Sequence, residues 1–207
     1  MRTQVGIIGA GPAGLTLAHI LHNAGIETVV LESHSRDYVE ARIRAGVLEQ
    51  GTVELFRDLG VSSRLDAEAL QHRGVELRFA GTGHRIAFDE LIGRSIWVYG
   101  QQEVVKDLIG ARLATGEPLL FEAEALAVEG IHGNLPVIRY RHEGEERVLT
   151  CDFIAGCDGF HGISRAQMPP GIMREYVHDY PFGWVGVLAS VRPSTDCLLY
   201  TSPSPRD

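Results

Sequence analysis

The chain has 207 residues, enough to bury a sizeable core as one large domain or two small ones. Charged residues make up 22% and hydrophobic ones 44%, and a net charge of -8 argues against nucleic acid or an anionic membrane as partner. No signal peptide, membrane-length apolar run, zinc-type cysteine spacing or even cysteine count is visible, so a reduced, cytoplasmic setting is expected.

Val5-Gly6-Ile7-Ile8 reads as a short buried parallel strand, bounded by Gln4 and Gly9. Gly9, Gly11 and Gly14 follow as G-x-G-x-x-G and lead into a helix whose apolar face is expected at Leu17, Ala18, Ile20, Leu21 and Ala24. In such a turn Gly9 permits the sharp bend, Gly11 lets backbone approach a pyrophosphate, and Gly14 lets the helix pack closely on the strand. The helix N-terminus offers free N–H groups to phosphate. Gly25 is the expected C′ residue, and Thr28-Val29-Val30-Leu31 the second strand. Glu32 closes that strand, placed to accept hydrogen bonds from ribose hydroxyls. Strand, turn, helix, strand and acid point to a dinucleotide site. The spacing leaves FAD and NAD(P) both open.

Ser33 to Arg36 read as a polar exit from the strand. Arg42 and Arg44 are either a solvated basic loop or guanidinium forks for a diphosphate. A helix is expected over 47–59, with Leu48, Val53, Leu55, Phe56 and Leu59 as its stripe. Val75–Phe79 and Arg85–Phe88 alternate with period two and form a hairpin about Gly81-Thr82-Gly83. Ser95–Tyr99 is a further strand, then a helix over Gln102–Ala114 buries Val104, Val105, Leu108, Ile109 and Leu113. Strands are expected at Leu119–Ala123, Val137–Arg141 and Arg147–Thr150, the last two joined by Glu143-Gly144-Glu145. Phe153–Cys157 is another apolar strand and ends in Asp158-Gly159, where open α/β sheets bind ligands. His161, Ser164 and Arg165 follow closely. His19, His22 and His178 lack a second ligand at metal spacing, so no metal site is expected. The whole reads as α/β: a Rossmann-like parallel sheet with an antiparallel β layer.

Several stretches resemble the single-component flavoprotein aromatic hydroxylases. They are the opening G-A-G-P-A-G, the run Arg42–Gly51, Tyr99-Gly100-Gln101, Ile154–Arg165 and Tyr180–Trp184. The likeness runs from Met1 to about Leu188. It implies NADPH or NADH reducing FAD, and a flavin C4a-hydroperoxide that hydroxylates 4-hydroxybenzoate beside its phenolate. By the same resemblance, Gly9, Gly11 and Gly14 wrap the FAD pyrophosphate, Glu32 holds the ribose and Arg44 meets the phosphates. Arg42 would reach both FAD and the nicotinamide cofactor. Gln101 would contact the flavin, Asp158 and Gly159 form the family's D-G motif, and His161 and Arg165 would serve NADPH. A homodimer is implied at full length.

The family carries Arg-Gln after the ribose acid; this chain has Ser33-His34, which leaves NADPH against NADH open. The expected division is an FAD-binding part over 1–175, the start of a substrate domain over 176–196, and a non-native or disordered tail over 197–207. Tyr200, within that tail, falls where the family places a tyrosine on the substrate phenol. The family's second FAD motif, a Gly-Asp pair opening a helix, is not found, so the chain is read as an N-terminal fragment inactive by itself. Two other readings stand beside the hydroxylase: another FAD- or NAD(P)-binding oxidoreductase, and a non-catalytic nucleotide-binding fragment.

Overall fold

The computed structural model describes residues 1–133, 135–169, 171–183, 185–187, 189–192 and 197–201. In chain order the elements begin β1 (Arg2–Ile8), α1 (Pro12–Asn23), β2 (Thr28–Leu31), α2 (Arg36–Ala41), β3 (Val47–Glu49) and α3 (Gln50–Asp58). Next come α4 (Ser63–Glu68), β4 (Leu70–His72), β5 (Gly74–Phe79), β6 (Thr82–Ala87), α5 (Phe88–Ile92) and β7 (Ile96–Val98). The chain continues through α6 (Gln101–Thr115), β8 (Leu119–Leu120), β9 (Glu124–Glu129), β10 (Val137–His142), β11 (Glu145–Gly156), α7 (Ile163–Ala166) and β12 (Leu198–Thr201). Two compact units result: residues 1–42 with 102–184, and 43–101 with 185–207.

The first unit is organised on one six-stranded sheet, ordered β8-β2-β1-β11-β10-β9. β1 pairs parallel with β2 on one side and with the second half of β11 on the other. The first half of β11 runs antiparallel to β10, which in turn pairs antiparallel with β9. The strands expected at Arg147–Thr150 and Phe153–Cys157 are therefore a single strand of 12 residues that serves both pairings. The link between them, Cys151-Asp152, is strand too: Cys151 is buried and Asp152 accepts a 2.8 Å bond from Arg2. Ile8, Val29 and Leu31 pack with Ile138, Tyr140, Leu149 and Cys151 in one core. The expected strand at Leu119–Ala123 shortens to β8, because Glu122 turns with φ 52 before β9 begins.

Ile7, Leu15, Leu108 and Ile109 are completely or almost completely enclosed; burial of such a side chain contributes about 1.5–3 kcal/mol. The buried face of α1 is Gly14, Leu15, Ala18 and His19, which corrects the expected stripe: Leu17 and Leu21 are half-buried, and Ile20 and Ala24 exposed. Close approach at Gly14 sets the rotation of this helix, overriding the broader apolar stripe. His19 can be buried because its Nε2 donates to the Leu108 carbonyl at 3.0 Å. On α6, Val104, Val105, Leu108 and Ile109 are buried as expected, but Arg112 takes the place of Leu113, which is exposed. α2 was not among the expected elements and starts at Arg36, where the polar stretch ends; Ser35 caps it by accepting the Tyr38 amide.

The second unit carries two three-stranded sheets, β3-β7-β4 and β12-β5-β6. The helix expected over 47–59 loses its first turn to β3, because Val47–Glu49 pair with Ile96–Val98. α3 then buries Val53 and Phe56 and leaves Leu55 at the surface. The β5–β6 hairpin turns at Ala80-Gly81, both with positive φ, so Thr82 and Gly83 are strand residues and Phe88 opens α5. In the last stretch, Cys197 is buried and Leu198–Thr201 pair parallel with Val75–Arg78. Trp184 and residues 202–207 lie outside the described residues.

Candidate nucleotide-binding site

The glycine turn joins β1 to α1 at the carboxyl end of the sheet. Gly9 has φ 102, a left-handed conformation that glycine alone adopts without strain, and a Cβ there would stand 2.5 Å from the Cys157 carbonyl oxygen. A Cβ on Gly14 would collide with the Gly9 carbonyl. Gly11 differs: a Cβ there would meet nothing within 4 Å. Its extended backbone caps α1, no side chain caps the helix, and no acid sits in the first turn. The first-turn N–H groups therefore carry no side-chain cap and have the positive end of the helix behind them. Such a cradle suits a diphosphate.

Glu32 is turned toward this cradle. It is 8% exposed, and its Oε2 accepts the Ala10 amide at 2.9 Å. Pairing across the strand ends fixes its backbone: Glu32 donates to the Leu120 carbonyl at 2.8 Å and accepts from Ala123 at 2.8 Å. The other oxygen, Oε1, accepts the His34 amide at 2.9 Å and lies 3.1 Å from His34 Nδ1 and 3.3 Å from Ser33 Oγ. His34 stacks on Tyr38 at 4.3 Å, and the Arg42 guanidinium sits over the Tyr38 ring at 5.6 Å. A ladder of His34, Tyr38 and Arg42 thus extends from the acid. Ser33, His34 and Tyr38 were not among the expected site residues; the place of Ser33 and His34 directly after the acid was the signal, and Tyr38 had none.

Asp158-Gly159 follows β11 at the strand end next to the glycine turn, and the Cys157 amide donates to the Ile8 carbonyl at 2.8 Å. Asp158 Oδ2 accepts both the amide and the hydroxyl of Ser164, at 2.9 and 3.0 Å, and so anchors the start of α7. Gly159 has φ 72. Arg165 donates to the Phe160 carbonyl at 3.0 Å, lies over the Phe160 ring and pairs with Glu175 at 3.0 Å. His161 meets the same ring edge-on. The Cys157 thiol is pushed up by burial and then by the Asp158 charge, which keeps it protonated beside the turn.

The remaining expected residues belong to the second unit. The amide of Tyr99 donates to Gly46 at 2.8 Å and that of Gln101 to Ala45 at 3.0 Å, so the stretch bearing Arg44 runs beside the one bearing Gln101. Arg44 is exposed. Tyr200 lies on β12 opposite Leu77 and is 60% exposed. Among the described residues no cluster of three or more His, Cys, Asp or Glu could hold a metal ion, and no helix is long and apolar enough to cross a membrane.

The glycine cradle, the acid and the neighbouring strand end together fit a dinucleotide such as FAD. A family model described as an FAD binding domain matches residues 2–206. Among curated proteins, p-hydroxybenzoate hydroxylase of Acinetobacter baylyi is 44% identical over 201 residues, covering 97% of this chain and 50% of that protein. A 4-methyl-5-nitrocatechol 5-monooxygenase of Burkholderia sp is 26% identical, over 78% of this chain and 32% of its own. Of solved structures, p-nitrophenol 4-monooxygenase from Pseudomonas putida superposes with a TM-score of 0.72 at 19% identity, covering 80% of this chain and 43% of that one, a likeness of fold. Anhydrotetracycline hydroxylase from Streptomyces rimosus gives 0.65 at 30% identity, over 77% and 32% of the two chains. The chain spans about half the length of the Acinetobacter relative and less of the others.

Proposed function

Because the chain belongs to the FAD binding domain family, we propose that it is the FAD-holding part of an aromatic monooxygenase that converts 4-hydroxybenzoate to 3,4-dihydroxybenzoate with NAD(P)H and dioxygen. The observation that carries this reading is the Glu32 carboxylate, buried and turned to the Ala10 amide inside the glycine turn. The first-turn N–H groups of α1 would bind the diphosphate and Glu32 the adenosine ribose. Arg42 and Arg44 would offset phosphate charge, and Gln101 would contact the flavin. His161 and Arg165 are proposed for the nicotinamide nucleotide, and Tyr200 for the substrate phenol. Bound FAD supplies hydride acceptance and oxygen activation; the protein binds, orients and excludes water. The substrate is argued from the 44% identity to the Acinetobacter hydroxylase.

The half-length coverage of that relative favours a second reading, in which the 207 residues bind flavin without turnover. One experiment separates them. The purified chain is titrated with FAD and then assayed for NAD(P)H oxidation stimulated by 4-hydroxybenzoate. Stimulated oxidation by the flavin-bound chain removes the non-catalytic reading, binding alone is what both readings expect of an FAD-holding part, and no binding removes both.

A further inference from the structure

We propose that the side chains of His34 and Ser33 are internal stand-ins for a ribose hydroxyl at Glu32 Oε1, so that a nucleotide must displace them to engage both carboxylate oxygens. This rests on the reading of Glu32 as the ribose acid. A carboxylate offers about four lone-pair sites, two on each oxygen. Oε2 already accepts the Ala10 amide. Oε1 faces three donors, the His34 amide at 2.9 Å, His34 Nδ1 at 3.1 Å and Ser33 Oγ at 3.3 Å, against its two sites. The two amides are fixed by the backbone. The imidazole and the hydroxyl can rotate, and they contend for the one Oε1 site that the His34 amide leaves; the second Oε2 site stays open, so a sugar diol that uses both oxygens must displace them.

The displaced groups have somewhere to go. Ser33 and His34 line an open cavity of 680 Å³, whose wall also carries Glu122, Glu124, His142 and Glu143. The His34 side chain is 48% exposed, so an imidazole N–H that leaves Glu32 turns to solvent and is not stranded as a buried donor. His34 also stacks on Tyr38, over whose ring the Arg42 guanidinium lies. Through its contact with Glu32, His34 is a positioning residue for nucleotide affinity.

The test uses the whole chain with FAD, ADP and 2′-deoxy-ADP as probes. His34→Phe keeps an aromatic ring for Tyr38 and removes the donor. It is expected to bind FAD and ADP about 3- to 10-fold tighter than the unaltered chain, with a smaller gain for 2′-deoxy-ADP. Ser33→Ala is expected to give a gain of up to about threefold. Equal or weaker FAD and ADP binding by both variants, with the unaltered chain binding normally, overturns the proposal. If none of the proteins binds FAD or ADP, the ribose role of Glu32 fails and the proposal falls with it.

Discussion

The carboxylate of Glu32 meets the amide of Ala10 at 2.9 Å, across 22 residues of chain. This bond ties the end of β2 to the glycine turn and leaves the acid buried where a sugar would lie. Glu32→Gln keeps the size and loses the charge. Hydrogen bonds to a charged acceptor are worth about 1.5–3 kcal/mol, so FAD affinity should fall at least about 10-fold. Flavin fluorescence quenching measures it. Affinity unchanged within about twofold would show that the ribose is held elsewhere.

Gly14 and Gly11 should separate packing from binding. A Cβ on Gly14 strikes the Gly9 carbonyl, so α1 must lift from the sheet; Gly14→Ala is expected to destabilise by about 1–3 kcal/mol. At Gly11 a Cβ meets no protein atom, so Gly11→Ala should change stability by no more than about 0.5 kcal/mol yet weaken FAD binding. Urea midpoints and flavin titrations on the two variants check this. Equal losses of stability would contradict the assignment.

Arg112 is fully buried and pairs with Glu117, and it donates to the carbonyls of Thr28 at 2.8 Å and Pro118 at 3.1 Å. It therefore clamps β8 to β2, one strand end below Glu32. Removing one partner of a buried pair typically costs about 3–5 kcal/mol. Because Glu117 keeps some solvent, Arg112→Met should sit near the lower end, about 3 kcal/mol. Chemical denaturation tests it, and a loss under about 1 kcal/mol would rule out the clamp.

Acid should weaken the fold in two stages. Burial holds the His19 imidazole below its ordinary 6.5, so below that pH the unfolded chain takes a proton that the folded one resists. Its contribution is complete above about 6.5 and declines as pH falls below it. For Glu117, burial favours the neutral acid, but the bonds from His22, Thr28 and Arg112 and the Arg112 charge outweigh it and hold the group below 4.5. That contribution is complete above about 4.5 and declines in stronger acid. Denaturant midpoints across pH should show both stages. His19→Gln should flatten the upper one alone, and a profile parallel to that of the unaltered chain would exclude His19 as its source.

The strand–glycine turn–helix–strand unit was legible because its signals are local. Gly9 acts through its positive φ and Gly14 through close approach, and Glu32 follows β2 at a short fixed spacing, all of which can be read along the chain. Arg112 was not legible, because its burial depends on an acid at 117 and on the carbonyls of Thr28 and Pro118. His19 was hidden for the same reason: only the Leu108 carbonyl makes it a core residue. Val47–Glu49 carry a helical apolar spacing, yet a partner strand at Ile96–Val98 captures them. The short helices α2, α4 and α5 are too brief for a period to show. For the site, the pairing of His34 with Glu32 could have been suspected from adjacency, but its stacking on Tyr38 needed the turn of α2.

The shared strand β11 also orders events during synthesis. One edge of β1 finds its partner only when residues about 150 positions later exist, as the Arg2–Asp152 bond records. At about 5–20 residues per second, translation leaves that edge open for roughly 8–30 s. During this interval the nascent chain exposes the apolar strand at its own beginning, which makes it a natural client for chaperones that hold unpaired strands. Stalled chains ending before residue 145 should be cut by protease within β1, and chains extended well past residue 156 should be spared.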